Sequence, residues 1–128
     1  MRALFSVSDK TGVVEFATQL VDLGWEIIAT GGTIKLLQDA RHKVINISEI
    51  TGFPEIDNGR VKTLHPKVFG GILYRRSLEN DLAQRDEFDI PDIDLVIVDL
   101  YPFEEYVAAK ADHQAIIEKI DIGGISLI

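Results

Sequence analysis

Short apolar runs alternate with segments of helical period along this chain, and that alternation restricts the fold more than any other feature. Runs typical of buried strands occupy residues 3–7, 25–29, 44–47 and 95–100. Strands separated by helices predict a parallel sheet, because each parallel connection must cross over the sheet. We therefore expect an α/β fold of three layers, with a mostly parallel sheet and helices on both faces.

Periodicity and capping residues predict where the helices lie. Apolar side chains recur at three- and four-residue spacing from Val13 to Val21, and Gly24 fits a left-handed cap after that helix. Further helices are predicted over residues 33–40, 77–88 and 112–120 and from about residue 103, with side-chain caps at Thr33, Ser77 and Asp112. The segment from Ile50 to Gly71 has no period and is predicted to be a long irregular loop, which is usually functional.

Ligands of parallel α/β sheets bind beyond the carboxyl ends of the strands. Two of the segments at these ends combine hydroxyls, glycines or a lysine with amides at the start of a helix, and both suit an anion. Their candidate binding residues are Ser8, Asp9, Lys10, Thr30, Gly31, Gly32 and Thr33. A plain helix cap or a plain turn explains either segment equally well when it is considered alone.

Charge points to a small anionic ligand. The chain carries 13 basic and 21 acidic residues, a net charge of −8, which argues against general nucleic-acid binding. Five basic residues and no acidic residue nevertheless lie between Arg60 and Arg76. A solvated basic loop is the alternative explanation of this cluster.

Several classes of protein are disfavoured by residues that the chain lacks. There is no cysteine, and His42, His65 and His113 have no metal-ligand spacing, so no metal site is predicted. No apolar run is long enough for a membrane span or a signal peptide, and we expect a cytoplasmic protein without a membrane partner. Asp121 to Gly124 is predicted to be a turn whose amides can stabilise an oxyanion, with a glycine hinge as the alternative.

Seven motifs follow one another in an order that is typical of one family. They are SVSDKTG (6–12), TGGT (30–33), TGFPE (51–55), GRVKTLHPK (59–67), GGIL (70–73), LYPF (100–103) and IDIGG (120–124). Together they closely resemble the N-terminal IMP cyclohydrolase domain of the bifunctional PurH family of purine biosynthesis, over essentially the whole chain. The resemblance implies a methylglyoxal-synthase-like fold and an enzyme that closes 5-formamidoimidazole-4-carboxamide ribotide to IMP with loss of water.

The resemblance also implies a set of site residues and partners. Catalytic roles are implied for Lys62, Tyr101 and Asp121. Substrate binding is implied for the seven residues named above and is expected for a further group, namely Arg60, Val61, Thr63, Asp99, Ile122, Gly123 and Gly124. The implied ligands are purine nucleotides, with no metal or cofactor for cyclisation, and the full-length protein is expected to be a homodimer. A 10-formyltetrahydrofolate donor is implied only for the transformylase domain of the family.

The chain departs from the family pattern at three places. It ends at Ile128, before a family segment with a catalytic lysine, so we expect residues 1–128 to be a truncated cyclohydrolase domain with strongly reduced activity and without the transformylase domain. The family often has asparagine at Asp99 and histidine at Phe69. Two other functions remain open at this point: a methylglyoxal synthase, against which RVKTLHP counts, and a non-catalytic domain that binds regulatory nucleotides.

Overall fold

Four parallel strands form the centre of the molecule in a computed structural model that describes residues 1–128. They are β1 (Arg2–Ser6), β2 (Glu26–Ala29), β3 (Val44–Asn46) and β4 (Leu95–Val98), in the spatial order β3-β2-β1-β4. Leu4 of β1 pairs with Ile28 on one side and Val96 on the other. The predicted parallel α/β sheet is therefore confirmed.

Eight helices and one 3₁₀ turn connect and flank the strands. The helices are α1 (Val13–Asp22), α2 (Gly31–Asp39), α3 (Ile47–Thr51), α4 (Pro66–Leu73), α5 (Glu79–Glu87), α6 (Phe103–Ala108), α7 (His113–Ile117) and α8 (Ile122–Leu127), and the 3₁₀ turn is Asp57–Gly59. Gly24 follows α1 with a φ of 82°, the left-handed conformation predicted for it. No helix combines the length and the apolar character that a membrane span would require.

Side chains alternate between the two faces of the sheet and bury a separate apolar cluster on each face. On one face, Phe5 packs with residues of α1 and α2, including Ala17 and Leu37. On the other, Leu4 and Ile28 belong to a cluster with residues from α3, α4 and the segment before β4, namely Ile47, Val68 and Ile93. Helices cover both faces, and the three predicted layers are confirmed.

Two of the three predicted helix caps are wrong, and one is confirmed. Thr33 is buried inside α2, whose N-cap is Thr30, because the helix already begins at Gly31. Ser77 does not cap α5, because that helix begins at Glu79 with Leu78 at its N-cap and without a side-chain cap. Asp112 caps α7 as predicted, accepting a 3.0 Å hydrogen bond from the amide of Ala115.

The segment predicted to be one long irregular loop is shorter than expected. Helix α4 begins at Pro66, inside the predicted loop, and His65 caps it by accepting a hydrogen bond from the amide of Lys67 at 3.1 Å. Proline suits the first position of a helix, because the amide it lacks would have no partner there. An antiparallel bridge between Ile56 and Val61 also orders the middle of the segment.

Candidate functional site

One cleft lies beyond the carboxyl ends of β1, β2 and β4, and most of the candidate residues meet there. Ten of them line it: Ser8, Thr30, Arg60, Lys62, Thr63, Asp99, Tyr101, Asp121, Gly123 and Gly124. Four residues that were not predicted complete the lining: Ser6, Val7, Gly59 and Ile120. The position agrees with the rule that such sheets bind ligands at this edge.

Segments that are distant in the sequence are in close contact inside the cleft. A methyl group added to Gly123 would lie 3.2 Å from Oγ1 of the buried Thr63. A methyl group added to Gly31 would lie 3.4 Å from Nζ of Lys62. These contacts bring the turn after β2, the basic segment and the start of α8 around one space, so that one small ligand can contact all three.

Lys10 lies outside the lining of the cleft, as do Gly31 and Thr33, and its side chain joins the turn after β1 to helix α2. Its ammonium donates hydrogen bonds to the carbonyl of Val7 and, at 2.9 Å, to Oγ1 of Thr33. Burial lowers the pKa of Lys10, and the positive charge of Lys62 lowers it further, whereas the Asp99 carboxylate acts in the opposite direction.

The amides of Ser8 and Asp9 already have a partner in the chain. The carboxylate of Asp99 accepts a hydrogen bond from the amide of Ser8 and one of 2.9 Å from the amide of Asp9. These two amides therefore face an internal anion, and helix α1 begins only at Val13. The amides of Ser8 and Asp9 are therefore not free for a ligand. A carboxylate can accept on both oxygens, which the asparagine common in the family cannot do.

Asp121 caps helix α8, which begins where a turn was predicted. Its Oδ1 accepts a 2.7 Å hydrogen bond from the amide of Gly124, so that this amide is not available as an oxyanion donor. A methyl group on Gly124 would lie 2.6 Å from Oδ2 of Asp121 and 2.8 Å from a methyl carbon of Leu100. A side chain at this position would therefore displace the capping carboxylate of Asp121. The amides of Ile122 and Gly123 make no hydrogen bond within the chain.

Tyr101 is positioned by a lysine that the sequence analysis did not identify. Nζ of Lys119 lies 5.4 Å from the centre of the Tyr101 ring and 4.6 Å from that of Tyr106. Both distances permit a cation–π interaction. No local motif marks Lys119, because the contact joins the segment after α7 to the segment after β4.

Several predicted residues lie outside the lining of the cleft. Val61 and Ile122 line a separate apolar groove with Leu64 and Ile117. The side chain of Asp9 is turned to its own loop, where it accepts a hydrogen bond from the amide of Thr11. The hydrogen bond from the Thr11 amide lowers the pKa of Asp9. Gly32 is exposed on the outer side of α2, and Phe69 packs against the second core cluster rather than facing the cleft.

Glu55 is a second residue that the sequence analysis missed. One of its carboxylate oxygens lies 3.4 Å from the amide of Gly31, at the start of α2. The residue belongs to the quoted TGFPE motif, and that is the signal that could have identified it. No group of three or more His, Asp or Glu side chains in the structure is arranged to hold a metal ion.

Comparison with protein families and solved structures gives consistent matches. The family model described as MGS-like domain matches residues 12–126. A solved structure described as the crystal structure of ForH superposes with a TM-score of 0.77 at 41% sequence identity, covering 97% of this chain and 62% of the other.

Curated relatives match almost the whole of this chain. The bifunctional purine biosynthesis protein PurH of Acetivibrio thermocellus is 56% identical over 99% of this chain and 25% of its own length. The PurH proteins of an Anaeromyxobacter species and of Lactococcus lactis are 55% and 53% identical, and each is covered over 24% of its length. The chain thus spans about a quarter of the length of these relatives and matches their N-terminal part.

Proposed function

The chain belongs to the family of MGS-like domains, and from its PurH relatives we propose that it is an IMP cyclohydrolase domain. Its curated relatives are bifunctional enzymes of purine biosynthesis. The proposed substrate is 5-formamidoimidazole-4-carboxamide ribotide, and the proposed products are IMP and water. The 10-formyltetrahydrofolate-dependent transformylase step is assigned in this proposal to the part of such proteins outside residues 1–128.

The observation that carries the proposal is the meeting of the two motifs most specific to this activity. Thr63 of RVKTLHP and Gly123 of IDIGG lie against each other in the cleft. A shared fold alone does not require this contact, because both motifs belong to connecting segments that vary among proteins of one architecture. Their convergence supports a site built for one ligand.

The charges around the cleft support a phosphorylated ligand. Arg60 and Lys62 line the cleft and Lys10 contacts Thr33 of α2, in a chain whose net charge is −8. Charge-assisted hydrogen bonds from such groups hold a phosphate more strongly than neutral donors do. In the proposed complex the 5′-phosphate lies at this end, and the base extends towards Tyr101 and Asp121.

The proposed ring closure needs donors at an oxygen and control of two protons. The carboxamide nitrogen attacks the formyl carbon, one of its protons passes to the formyl oxygen, and a C–N bond forms. The resulting hydroxyl then leaves as water with the proton of the formamide nitrogen, which creates the C=N bond of the product. An amide nitrogen is a poor nucleophile, so the barrier falls when the two ends are held together and the oxygen meets preorganised donors.

Residues along the cleft can supply these functions. In the proposal, the Lys62 ammonium polarises the substrate and relays a proton, and the Tyr101 hydroxyl orients the carboxamide. The free amides of Ile122 and Gly123 can donate to the developing oxyanion, while Asp121 holds the start of α8 that carries them. No cofactor enters the scheme. We further propose a cytoplasmic location and a homodimeric full-length protein, with no nucleic-acid or membrane partner.

The first prediction tests the proposed function through its ligand. IMP is expected to bind this chain and inosine to bind at least about tenfold more weakly, because each charge-assisted hydrogen bond to the phosphate contributes about 1.5 kcal/mol. Isothermal titration calorimetry with both compounds measures the difference. Equal affinity for nucleoside and nucleotide would contradict the proposal.

The second prediction concerns metal ions. IMP binding is expected to be unchanged after treatment with EDTA, because the proposed phosphate contacts come from lysine and arginine side chains. Calorimetry on treated protein, with and without added Mg²⁺, makes the comparison. A strict requirement for the divalent ion would refute this assignment of the phosphate contacts.

A further inference from the structure

Glu55 lies where the turn after β2 meets the loop that carries Arg60 and Lys62. The Ile56–Val61 bridge closes this loop with reciprocal backbone hydrogen bonds of 3.1 and 3.3 Å, and Glu55 immediately precedes it. The carboxylate is only half-buried. It thus reaches the cleft from the base of the same loop that supplies two of the cations.

The carboxylate of Glu55 contacts the groups that would hold a phosphate in the proposed complex. Its Oε1 lies 3.4 Å from the Gly31 amide. Its Oε2 lies 3.3 Å from the position of a methyl group added to Gly59, and Nζ of Lys62 lies 3.9 Å from that same position. Gly59 has a φ of 79°, a conformation that side chains rarely adopt, so the space beside it stays open to both groups.

The hydrogen bond of Glu55 is weak in comparison with the similar contact of Asp99. Asp99 accepts from two successive amides, one of them at 2.9 Å. Glu55 accepts from one amide at 3.4 Å, beyond the usual range of about 2.7–3.2 Å. Of the two internal carboxylates, Asp99 is therefore held firmly and Glu55 is held loosely. A ligand can displace Glu55 at much smaller cost.

We propose that Glu55 limits the phosphate affinity of this site, because its carboxylate competes with the ligand's phosphate for the Gly31 amide. The inference rests on the proposed function, because it takes the start of α2 as the phosphate end of the nucleotide site. A phosphate brings up to two negative charges and several acceptor oxygens, whereas Glu55 offers one charge on a tether. A ligand without phosphate leaves the amide to Glu55.

The variant Glu55→Gln tests whether Glu55 competes with phosphate for the Gly31 amide. The neutral amide competes less well for Gly31 and repels an incoming anion less. Inorganic phosphate and IMP are both expected to bind about fivefold more tightly, which is the size of one hydrogen bond's net contribution. Two-dimensional ¹H–¹⁵N NMR of the whole chain measures both affinities, and the Gly31 amide resonance is expected to shift in each titration.

Two further variants serve as controls, one for the change of net charge and one for a failure of Glu55→Gln to fold. Glu104→Gln removes an equal charge from the exposed first turn of α6 and is expected to leave both affinities unchanged. Glu55→Asp keeps the charge but shortens the side chain, which withdraws the carboxylate from Gly31. It is also expected to tighten phosphate binding, and it replaces Glu55→Gln should that variant fail to fold.

The outcomes distinguish this inference from the proposed function. Wild-type protein that binds IMP over inosine, together with Glu55 variants of unchanged or weaker affinity, overturns the inference alone. Protein that binds inorganic phosphate with the expected variant pattern but prefers inosine to IMP overturns the nucleotide assignment and leaves the competition in place. Absence of phosphate and IMP binding in every variant overturns both.

Discussion

Replacing Lys62 with methionine is expected to slow ring closure by about 100-fold or more, the loss typical when a donor preorganised at a developing charge is removed. The ammonium of Lys62 lies beside Gly31 and Gly59 in the cleft, where the proposed mechanism needs a positive group that polarises the substrate. Methionine preserves the length and the apolar part of the side chain. The expected loss therefore comes from the charge and its protons.

The measurement is a single-turnover assay with protein in excess over substrate, which follows the absorbance change of ring closure. Lys67→Met is the matched control, because Lys67 lies in the same motif but forms an ion pair with the exposed Asp89. The control is expected to retain the wild-type rate. Equal rates for Lys62→Met and wild type would show that Lys62 has no catalytic role. IMP binding without any turnover in a protein that also carries the family's lysine segment after Ile128 would instead favour a nucleotide-binding regulatory domain.

Replacing Gly71 with alanine is expected to lower the free energy of unfolding by about 2 kcal/mol. The added methyl group would overlap the carbonyl oxygen of Pro91 and lie 3.2 Å from a side-chain carbon of Ile93. The helix and the segment before β4 cannot easily separate here, because the amide of Ile93 donates to the carbonyl of Gly71 at 3.1 Å. Overpacking costs up to about 3 kcal/mol, and the better helix propensity of alanine returns about 1 kcal/mol.

Gly70→Ala is the matched control for this substitution, since both glycines lie in α4. A methyl group on Gly70 would meet only the flexible side chain of Ile90, at 3.0 and 3.3 Å from two of its carbon atoms. Gly70→Ala is therefore expected to change stability by less than about 1 kcal/mol. Urea unfolding followed by circular dichroism compares the two variants. Equal stability of the two variants would show that the backbone contact of Gly71 does not restrict the packing of α4.

The elements that the sequence predicted well are those whose pattern is local. The apolar run at β4 and the helical spacing of α1 each need only their own residues to be recognised, because burial on both faces or on one stripe imposes a fixed period. The caps were less reliable. Asp112 satisfies an amide three residues away, whereas Thr33 has its hydroxyl bound to Lys10, a partner from another element.

The candidate site was predictable as a set of segments but not as a set of contacts. The parallel alternation placed the turns after β1, β2 and β4 at one edge, and the cleft lies there. The role of each polar group in the cleft depends on hydrogen-bond partners that are distant in the sequence. Asp99 accepts a hydrogen bond from the Ser8 amide, 91 positions away in the sequence, and Glu55 accepts one from the Gly31 amide, 24 positions away.

The sequence by itself thus determined the layer architecture and the edge of the sheet at which the candidate site lies, because both follow from strand and helix periods. The tertiary structure alone decided which amides remain available to a ligand. Every helix start offers unpaired amides, and any carboxylate that the fold brings within reach can take them. At Ser8 the carboxylate of Asp99 holds the amide, and at Gly31 the loosely bound Glu55 leaves it open to competition.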